Sequence, residues 1–272
     1  GPTIVLLHGI RDCAWGFHNV ATRIAQRYPT IALDLRGHGD SEAPGAYSFA
    51  LCAADLLAVQ TNLALSTCVY VGHSLGGQVA AHYAALFPES VSKLVIVEGL
   101  GPLRAPNDAE TQRIHDRGRI DALMALAAER RRLDDIHEAT SRLRRNHPRL
   151  PARFARFLAE KSTRALPDGG LEWKWDPLIQ SIWMTTTREL TELRWQQIRA
   201  NTLIVTAAFG GDYWQRRGHY AELEAAAQEH EINRRIGLFQ TSQRRHIENA
   251  GHMTHYDAPE ALAEQIHTFI GE

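Results

Sequence analysis

A disulfide framework is the first thing this sequence rules out. Its 272 residues carry three cysteines, Cys13, Cys52 and Cys68, odd in number and widely spaced. That pattern offers no zinc-type ligand spacing and suits reduced thiols in a cytoplasmic setting. Charge imbalance is missing too. A formal net charge of −1 removes the global electrostatic argument for binding nucleic acid or an anionic membrane. No apolar run approaches the ~20 residues that span a bilayer. Neither Gly-x-x-x-x-Gly-Lys-Ser/Thr, Gly-x-Gly-x-x-Gly nor His-Glu-x-x-His occurs, so neither a nucleotide loop nor a zinc site is indicated. No repeat or low-complexity tract stands out. The chain opens directly on a strand, with no initiator Met and no signal peptide, which leaves room for a targeting segment upstream.

What is present is an ordinary globular composition, 44% apolar and 22% charged, long enough for one large core or a core with an inserted subdomain. Short apolar runs read as strands at Thr3–Leu7, Thr30–Leu33, Cys68–Val71, Lys93–Val97, Leu203–Thr206 and about Arg245–Glu248. Helical patterns fall between them, at Phe17–Arg27, Ala50–Leu63, Gly76–Phe87, Tyr220–Gln228 and Pro259–Ile270. This alternation implies an α/β fold with a doubly wound, mainly parallel sheet, whose ligands bind beyond the carboxyl ends of the strands. From Gly101 to Arg188 the alternation stops. That stretch shows helical patterns punctuated by Pro106, Pro148, Pro151, Pro167 and Pro177, and no convincing strand. It reads as a helical cap, 101–188, inserted into a core made of 1–100 and 189–272. Residues 104–164 hold fourteen Arg and one Lys against nine Asp or Glu. The plain reading is a solvated helical surface with acidic partners close by; the sharper one turns some arginines toward the cleft to attract an anionic substrate.

One motif carries chemistry. Gly72-His73-Ser74-Leu75-Gly76 follows an apolar strand and precedes a helical run, the context in which Gly-x-Ser-x-Gly builds a sharp turn exposing a nucleophilic hydroxyl. The glycines allow backbone and helix to approach without a Cβ clash. The Leu75 amide, at a helix N-terminus, is placed to stabilise an oxyanion. A second donor is needed, and the amide of Ile10, just after the strand ending Leu7-His8-Gly9, is the candidate. Serine needs a base to take its proton. Among fourteen histidines, His252 lies on a glycine turn after the last strand, in Ala250-Gly251-His252. His73 and His255 fit packing or structural roles better. The base needs an orienting carboxylate, and two compete: Asp212, in the loop after Leu203–Thr206, is preferred, and Glu98, at the end of Lys93–Val97, is the alternative. Trp15 fits a wall of the substrate pocket. Ser rather than Asp at the nucleophile position argues against alkyl-enzyme chemistry of the dehalogenase or epoxide hydrolase type.

Taken together, Leu7-His8-Gly9, the segment Asp34-Leu35-Arg36-Gly37-His38-Gly39-Asp40-Ser41, Gly72-His73-Ser74-Leu75-Gly76-Gly77 and Ala250-Gly251-His252 resemble the α/β-hydrolase fold superfamily, in the form of a capped serine hydrolase like an esterase or lipase. The likeness runs over nearly the whole chain except the cap. It implies a Ser–His–acid triad in chain order, which fits Ser74, Asp212 and His252; in some members the acid instead follows the preceding strand, as Glu98 does. It implies a structural role for the Asp34–Ser41 loop. Two features depart from the family: the β-hairpin usually ahead of the first strand is absent, and Trp173-Lys174-Trp175-Asp176-Pro177 matches no substrate signature. The expected function is hydrolysis of a small or medium carboxylic ester through an acyl-enzyme, with no metal or organic cofactor, no nucleic-acid or membrane partner, and an undetermined oligomeric state. Thioesterase, lactonase, C–C bond hydrolase or acyltransferase chemistry on the same triad, and a catalytically silent binding module, are the alternatives.

Overall fold

A computed structural model describes residues 1–102, 109–128, 132–215 and 224–272. Its centre is a six-stranded sheet in which every ladder is parallel. The strands are β1 (Thr3–Leu7), β2 (Thr30–Leu33), β3 (Cys68–His73), β4 (Val91–Val97), β8 (Asn201–Phe209) and β9 (Ser242–Gly251), in the order β2-β1-β3-β4-β8-β9. β1 and β2 match their expected bounds, and the other four run two or three residues longer at one or both ends. Helices flank the sheet: α1 (His18–Ile24), α2 (Phe49–Asn62), α3 (Leu75–Leu86), α7 (Arg188–Trp195), α8 (Gly210–Gln215), α9 (Ala225–Ile236), the short α10 (Thr254–Asp257) and α11 (Pro259–Gly271). Among the described residues no helix is long and apolar enough to cross a membrane.

The alternation of β1 shows why both faces are covered. Ile4 and Leu6 join Val69, Val71, Val95, Val97, Leu203 and Val205 in one core cluster, with residues of α1 and α11. Val5 and Leu7 point the other way, into a second cluster with Tyr70, Leu94, Ile96 and Ile204, packed on α2, α3 and α7. A two-residue side-chain period places successive apolar residues on opposite faces, so a strand buried on both reads as an unbroken apolar run. Truncating one such side chain, as in Leu6→Ala, costs about 2–5 kcal/mol. All three cysteines are buried and unpaired.

The chain between β4 and β8 departs from the helical expectation. It holds α4 (Ala109–Ala128), α5 (Ile136–Asn146), α6 (Ala152–Ser162) and a 3-10 stretch, Pro177–Thr185. It also holds a small antiparallel sheet, ordered β5-β7-β6, of β5 (Arg132–Leu133), β6 (Thr163–Ala165) and β7 (Leu171–Trp173). Strands of two or three residues are too short to leave a period-two signature. The turn joining β6 to β7 depends on Gly169 and Gly170, both at positive φ, with Leu166 N donating to Gly170 O at 3.1 Å. Two further expectations are corrected. The Phe17–Arg27 helix is shorter, preceded by a 3-10 turn at Ala14–Phe17. Of Tyr220–Gln228, the first four residues lie outside the described residues, and α9 continues to Ile236.

The strand order reverses between β1 and β3: β2 is laid to one side of β1, β3 and β4 to the other. The helices connecting these strands then leave a crevice at the carboxyl ends of β1 and β3. Ile10 and Ser74 stand at those two ends.

Candidate active site

Ser74 follows β3 with φ 50° and ψ −112°, a left-handed conformation that L-residues adopt only when the surroundings force it. Its amide donates to Val97 O at 2.9 Å. The turn is tight because α3 begins against the first strand: a Cβ on Gly76 would sit 2.2 Å from Leu7 O, so that position tolerates only glycine. Leu75 N opens α3, and Ile10 lines the same cavity as Ser74. Arg11, next to Ile10, also has positive φ, at 61°.

The expectation that Asp34–Ser41 is structural acquires a mechanism. His38 Nε2 accepts from Arg11 N at 3.1 Å, and its Nδ1–H donates to Arg36 O at 3.2 Å. Burial, with His8 beside it, pushes His38 down to about 3, which keeps the accepting lone pair on Nε2. Asp34 takes Ala14 N and Asp40 N, at 2.7 and 2.9 Å. His8 Nε2 accepts from Leu35 N at 3.0 Å. The loop therefore clamps the backbone that carries Ile10 and Arg11.

His252 follows β9 and is 4% exposed. Its loop is tied at both ends: Gly251 N donates to Asp257 Oδ2 at 2.8 Å, and His73 Nε2–H donates to the His252 carbonyl at 2.8 Å. The carboxylate at His252 is that of Glu98, with Oε2 3.3 Å from Nδ1. Glu98 sits at φ 49° immediately after β4, and its other oxygen accepts Ala207 N at 2.8 Å. Asp212, the preferred acid from sequence, comes just after β8. β8 runs three residues past its expected end, and α8 starts at once, which places Asp212 in the first helical turn beside a neighbouring cavity of about 270 Å³. Gly210 completes the arrangement, since a Cβ there would lie 2.3 Å from Glu98 Oε2.

Ser74, His252 and Ile10 line one cavity of about 480 Å³ with residues of α5, α6 and β7. Among the described residues no hydrogen bond joins the Ser74 hydroxyl to His252, as is common before substrate tightens a site. The pocket wall expected at Trp15 is a correction. Trp15 is 40% exposed, its ring against Phe157 and beneath the Lys161 ammonium at 4.4 Å, and the cavity wall is built instead by Trp173 and Trp175. The uninterpreted Trp-Lys-Trp-Asp-Pro segment thus supplies that wall. It is pinned to the Asp34–Ser41 loop by Asp176 N donating to Gly37 O at 2.7 Å and by Lys174 on Asp40 at 2.6 Å. Sequence reasoning also missed Tyr213, whose ring stacks on the His252 imidazole at 4.0 Å and 14°. An aromatic four residues past a strand carries no signal that it will meet a histidine thirty-nine positions later.

His73 and His255 are buried beside this site. Burial, with His255 and His252 close by, holds His73 well below its ordinary value. His255 Nε2 lies 3.1 Å from Asp12 Oδ2, while Tyr256 OH donates to Oδ1 at 2.7 Å. Burial opposes ionisation of Asp12, yet the His255 hydrogen bond and charge, with help from Tyr256, outweigh it and hold the carboxyl below its ordinary range. Asp12, His73 and His255 form the one group among the described residues whose potential ligand atoms lie within 4.8 Å of one another.

The comparisons bear on the family and the fold. A family model described as "Alpha/beta hydrolase family" matches residues 4–265. An uncharacterized protein of Mycobacterium tuberculosis is 41% identical over 108 residues, 39% of this chain and 32% of that protein. The 2-(acetamidomethylene)succinate hydrolase of Mesorhizobium japonicum is 31% identical over 189 residues, 69% of this chain and 62% of the relative. In both, the matched part is less than two thirds of the relative's length. The crystal structure of an E-2-(acetamidomethylene)succinate hydrolase superposes at TM-score 0.78 and 23% identity, over 100% of this chain and 92% of that one. The fold, the serine turn at the strand crossover and the family match over nearly the whole length lead to one conclusion: this chain belongs to the α/β-hydrolase family.

Proposed function

We propose that the protein is a serine hydrolase that cleaves a carboxylic ester through Ser74, His252 and Glu98, with 101–188 as its cap. One observation carries the reading: the His252 ring, braced at Nδ1 by Glu98 (3.3 Å), lines the cavity that holds Ser74. Glu98 thereby takes the role the sequence favoured for Asp212. An Nδ1–H held by a carboxylate leaves Nε2 as the proton acceptor, and the negative charge stabilises the imidazolium once it forms. The relative named for hydrolysis of a succinate derivative supports a hydrolytic reaction.

Ser74 Oγ attacks the ester carbonyl as His252 Nε2 takes its proton. The amides of Ile10 and Leu75 receive the oxyanion. Collapse expels the alcohol, protonated by His252, and leaves an acyl-Ser74 ester. Water then gives its proton to His252, attacks the acyl carbon, and the acid leaves as Ser74 is reprotonated.

The test is hydrolysis of p-nitrophenyl esters from acetate to dodecanoate, wild type beside Ser74→Ala. Turnover should fall by roughly a thousandfold or more in the variant, with a chain-length optimum that sizes the acyl pocket. Retention of wild-type activity by Ser74→Ala overturns the nucleophile. Failure of a fluorophosphonate to label Ser74 in folded protein favours a silent binding module.

A further inference from the structure

Asp12, His73 and His255 come from the three segments that frame the serine. Asp12 lies two residues after Ile10, His73 ends β3 just before Ser74, and His255 sits in α10 three residues after His252. All three side chains are buried, and each is oriented by a further contact. Cys13 N and Tyr256 OH donate to Asp12 Oδ1 at 2.8 and 2.7 Å, which leaves Oδ2 to face His255. His73 gives its Nε2–H to the His252 carbonyl at 2.8 Å. Its Nδ1 lone pair is left bare, with no hydrogen-bond partner. Gly9 leaves room on that side, since a Cβ there would lie 2.7 Å from His73 Nδ1. Histidines that ligate metals are held in this way, one ring nitrogen donating to a carbonyl or carboxylate and the other bare.

An unpartnered nitrogen is not enough by itself. His267 Nε2 is equally bare, but no group of three ligands forms around it among the described residues, whereas Asp12, His73 and His255 offer ligand atoms within 4.8 Å of one another. His255 Nε2 stands 3.1 Å from Asp12 Oδ2. That is close to the edge, about 3.3 Å, of a tetrahedron of ligands about 2.0–2.1 Å from a zinc ion. An ion seated there takes the place of the proton between the two residues, and the bare Nδ1 of His255 carries that proton instead. Asp12 and His73 both line the cavity of about 480 Å³ that holds Ser74, so an ion reaches the three groups from the substrate side.

We propose that Asp12, His73 and His255 form a site for one divalent transition-metal ion such as Zn²⁺, and that its occupancy inhibits the enzyme. Two imidazoles and a carboxylate suit Zn²⁺, Cu²⁺ or Ni²⁺, whereas Mg²⁺ and Ca²⁺ prefer oxygen ligands. Seating the ion draws the three ligand atoms toward spacings of about 3.3 Å and pulls the Ile10, Ser74 and His252 segments with them. A shift of about 1 Å in such groups costs on the order of a hundredfold in rate. The ion's charge also opposes the imidazolium that forms at His252, whose ring centroid is 5.0 Å from that of His73. The binding site goes beyond the ester-hydrolase reading and stands without it; only the inhibition rests on that reading.

The experiment has a binding arm and a turnover arm. Zn²⁺ is titrated calorimetrically into chelator-treated wild type, His73→Gln, His255→Gln and His246→Gln. Glutamine at 73 or 255 keeps an N–H donor for the His252 carbonyl or Asp12 while removing the imidazole, and urea midpoints verify that each variant is folded. One Zn²⁺ per wild-type chain with a Kd of about 10 μM or tighter, weakened at least tenfold in the 73 and 255 variants and unchanged in His246→Gln, supports the site. No binding to wild type, equal binding to both variants, or displacement of the ion by about 1 mM Mg²⁺ overturns it. Should neither variant fold, anomalous diffraction at the zinc edge from wild-type crystals decides: an ion between Asp12, His73 and His255 supports the site, and ions only elsewhere overturn it. In the turnover arm, saturating Zn²⁺ should lower kcat for a p-nitrophenyl ester at least tenfold, reversibly with EDTA, while the same Zn²⁺ concentration leaves His73→Gln at its own metal-free rate. Stoichiometric binding with unchanged kcat overturns the inhibition and leaves the site standing. Absence of Ser74 labelling and of turnover without metal instead overturns the hydrolase reading, and the titration still decides the metal site.

Discussion

Two imidazoles three residues apart, one just after β9 and one in α10, each meet a carboxylate. Glu98 meets His252 at 3.3 Å, and Asp12 meets His255 at 3.1 Å. The local chemistry is nearly the same, yet the surroundings assign different work. His252 lines the cavity with Ser74 and lies flat against Tyr213. His255 is wholly buried, its ring stacked on Phe17 at 4.8 Å and its carboxylate shared with Tyr256. A histidine–carboxylate pair is thus a catalytic candidate only where the second nitrogen can reach a nucleophile and substrate. Where it is sealed, the same pair is a fastener joining the β1 loop to the last helices.

The comparison breaks most sharply at the carboxylates. Glu98→Gln should lower kcat for an activated ester by about 10⁴, through loss of the tautomer and of the charge behind the imidazolium, while Asp212→Asn changes it less than tenfold. Comparable losses in the two would remove the assignment of Glu98. At the buried pair the effect should fall on stability. His255→Ala leaves Asp12 buried without its partner, a cost of about 3–5 kcal/mol, read as a lower urea midpoint with an unchanged m-value. A large kcat loss at full stability would show that the second pair is catalytic after all.

Acid should separate the two pairs next. Asp12 has a depressed folded-state pKa, so its contribution is present above the ordinary carboxylate range and lost as pH falls through the folded value. His38, pushed down to about 3, and His82, pushed down to about 4 by burial, stay neutral in the folded protein. The unfolded chain takes up those protons below about pH 6.5, so stability should decline from there downward. Urea midpoints from pH 7.5 to 4 check the sign, and a midpoint that rises on acidification contradicts it. Asp12→Asn should flatten the most acidic part of the curve.

The smallest effect belongs to Tyr213. Tyr213→Ala removes one aromatic contact, worth about 0.5–1.5 kcal/mol, so kcat should drop about two- to tenfold, with Tyr213→Phe close to wild type. If Phe is as damaging as Ala, the phenol rather than the stacked ring is what matters.

The β1 and β2 boundaries were legible because their apolar runs end on polar or glycine residues, and Ser74 and His252 were legible because glycines frame them. The 132–173 sheet was not: its strands are two or three residues long, and only pairing defines them. Asp212 was preferred over Glu98 on a loop that proves to be strand and helix. Trp173 and Trp175 gave no pattern to read, because an aromatic pair reveals its role only when another segment closes on it.

By itself the sequence determined the parallel α/β core, the strained serine turn and the histidine after the last strand, since each depends on local periodicity or on glycines within a few residues. The tertiary structure alone decided which carboxylate meets His252, which histidine is sealed, and which indoles line the cavity of Ser74. Those choices join residues 98 and 252, and 12 and 255, and bring 173 and 175 to the cavity of Ser74. No local propensity links positions so far apart, and only the register of β4, β8 and β9 and the packing of α5, α6 and β7 around the cavity bring them together.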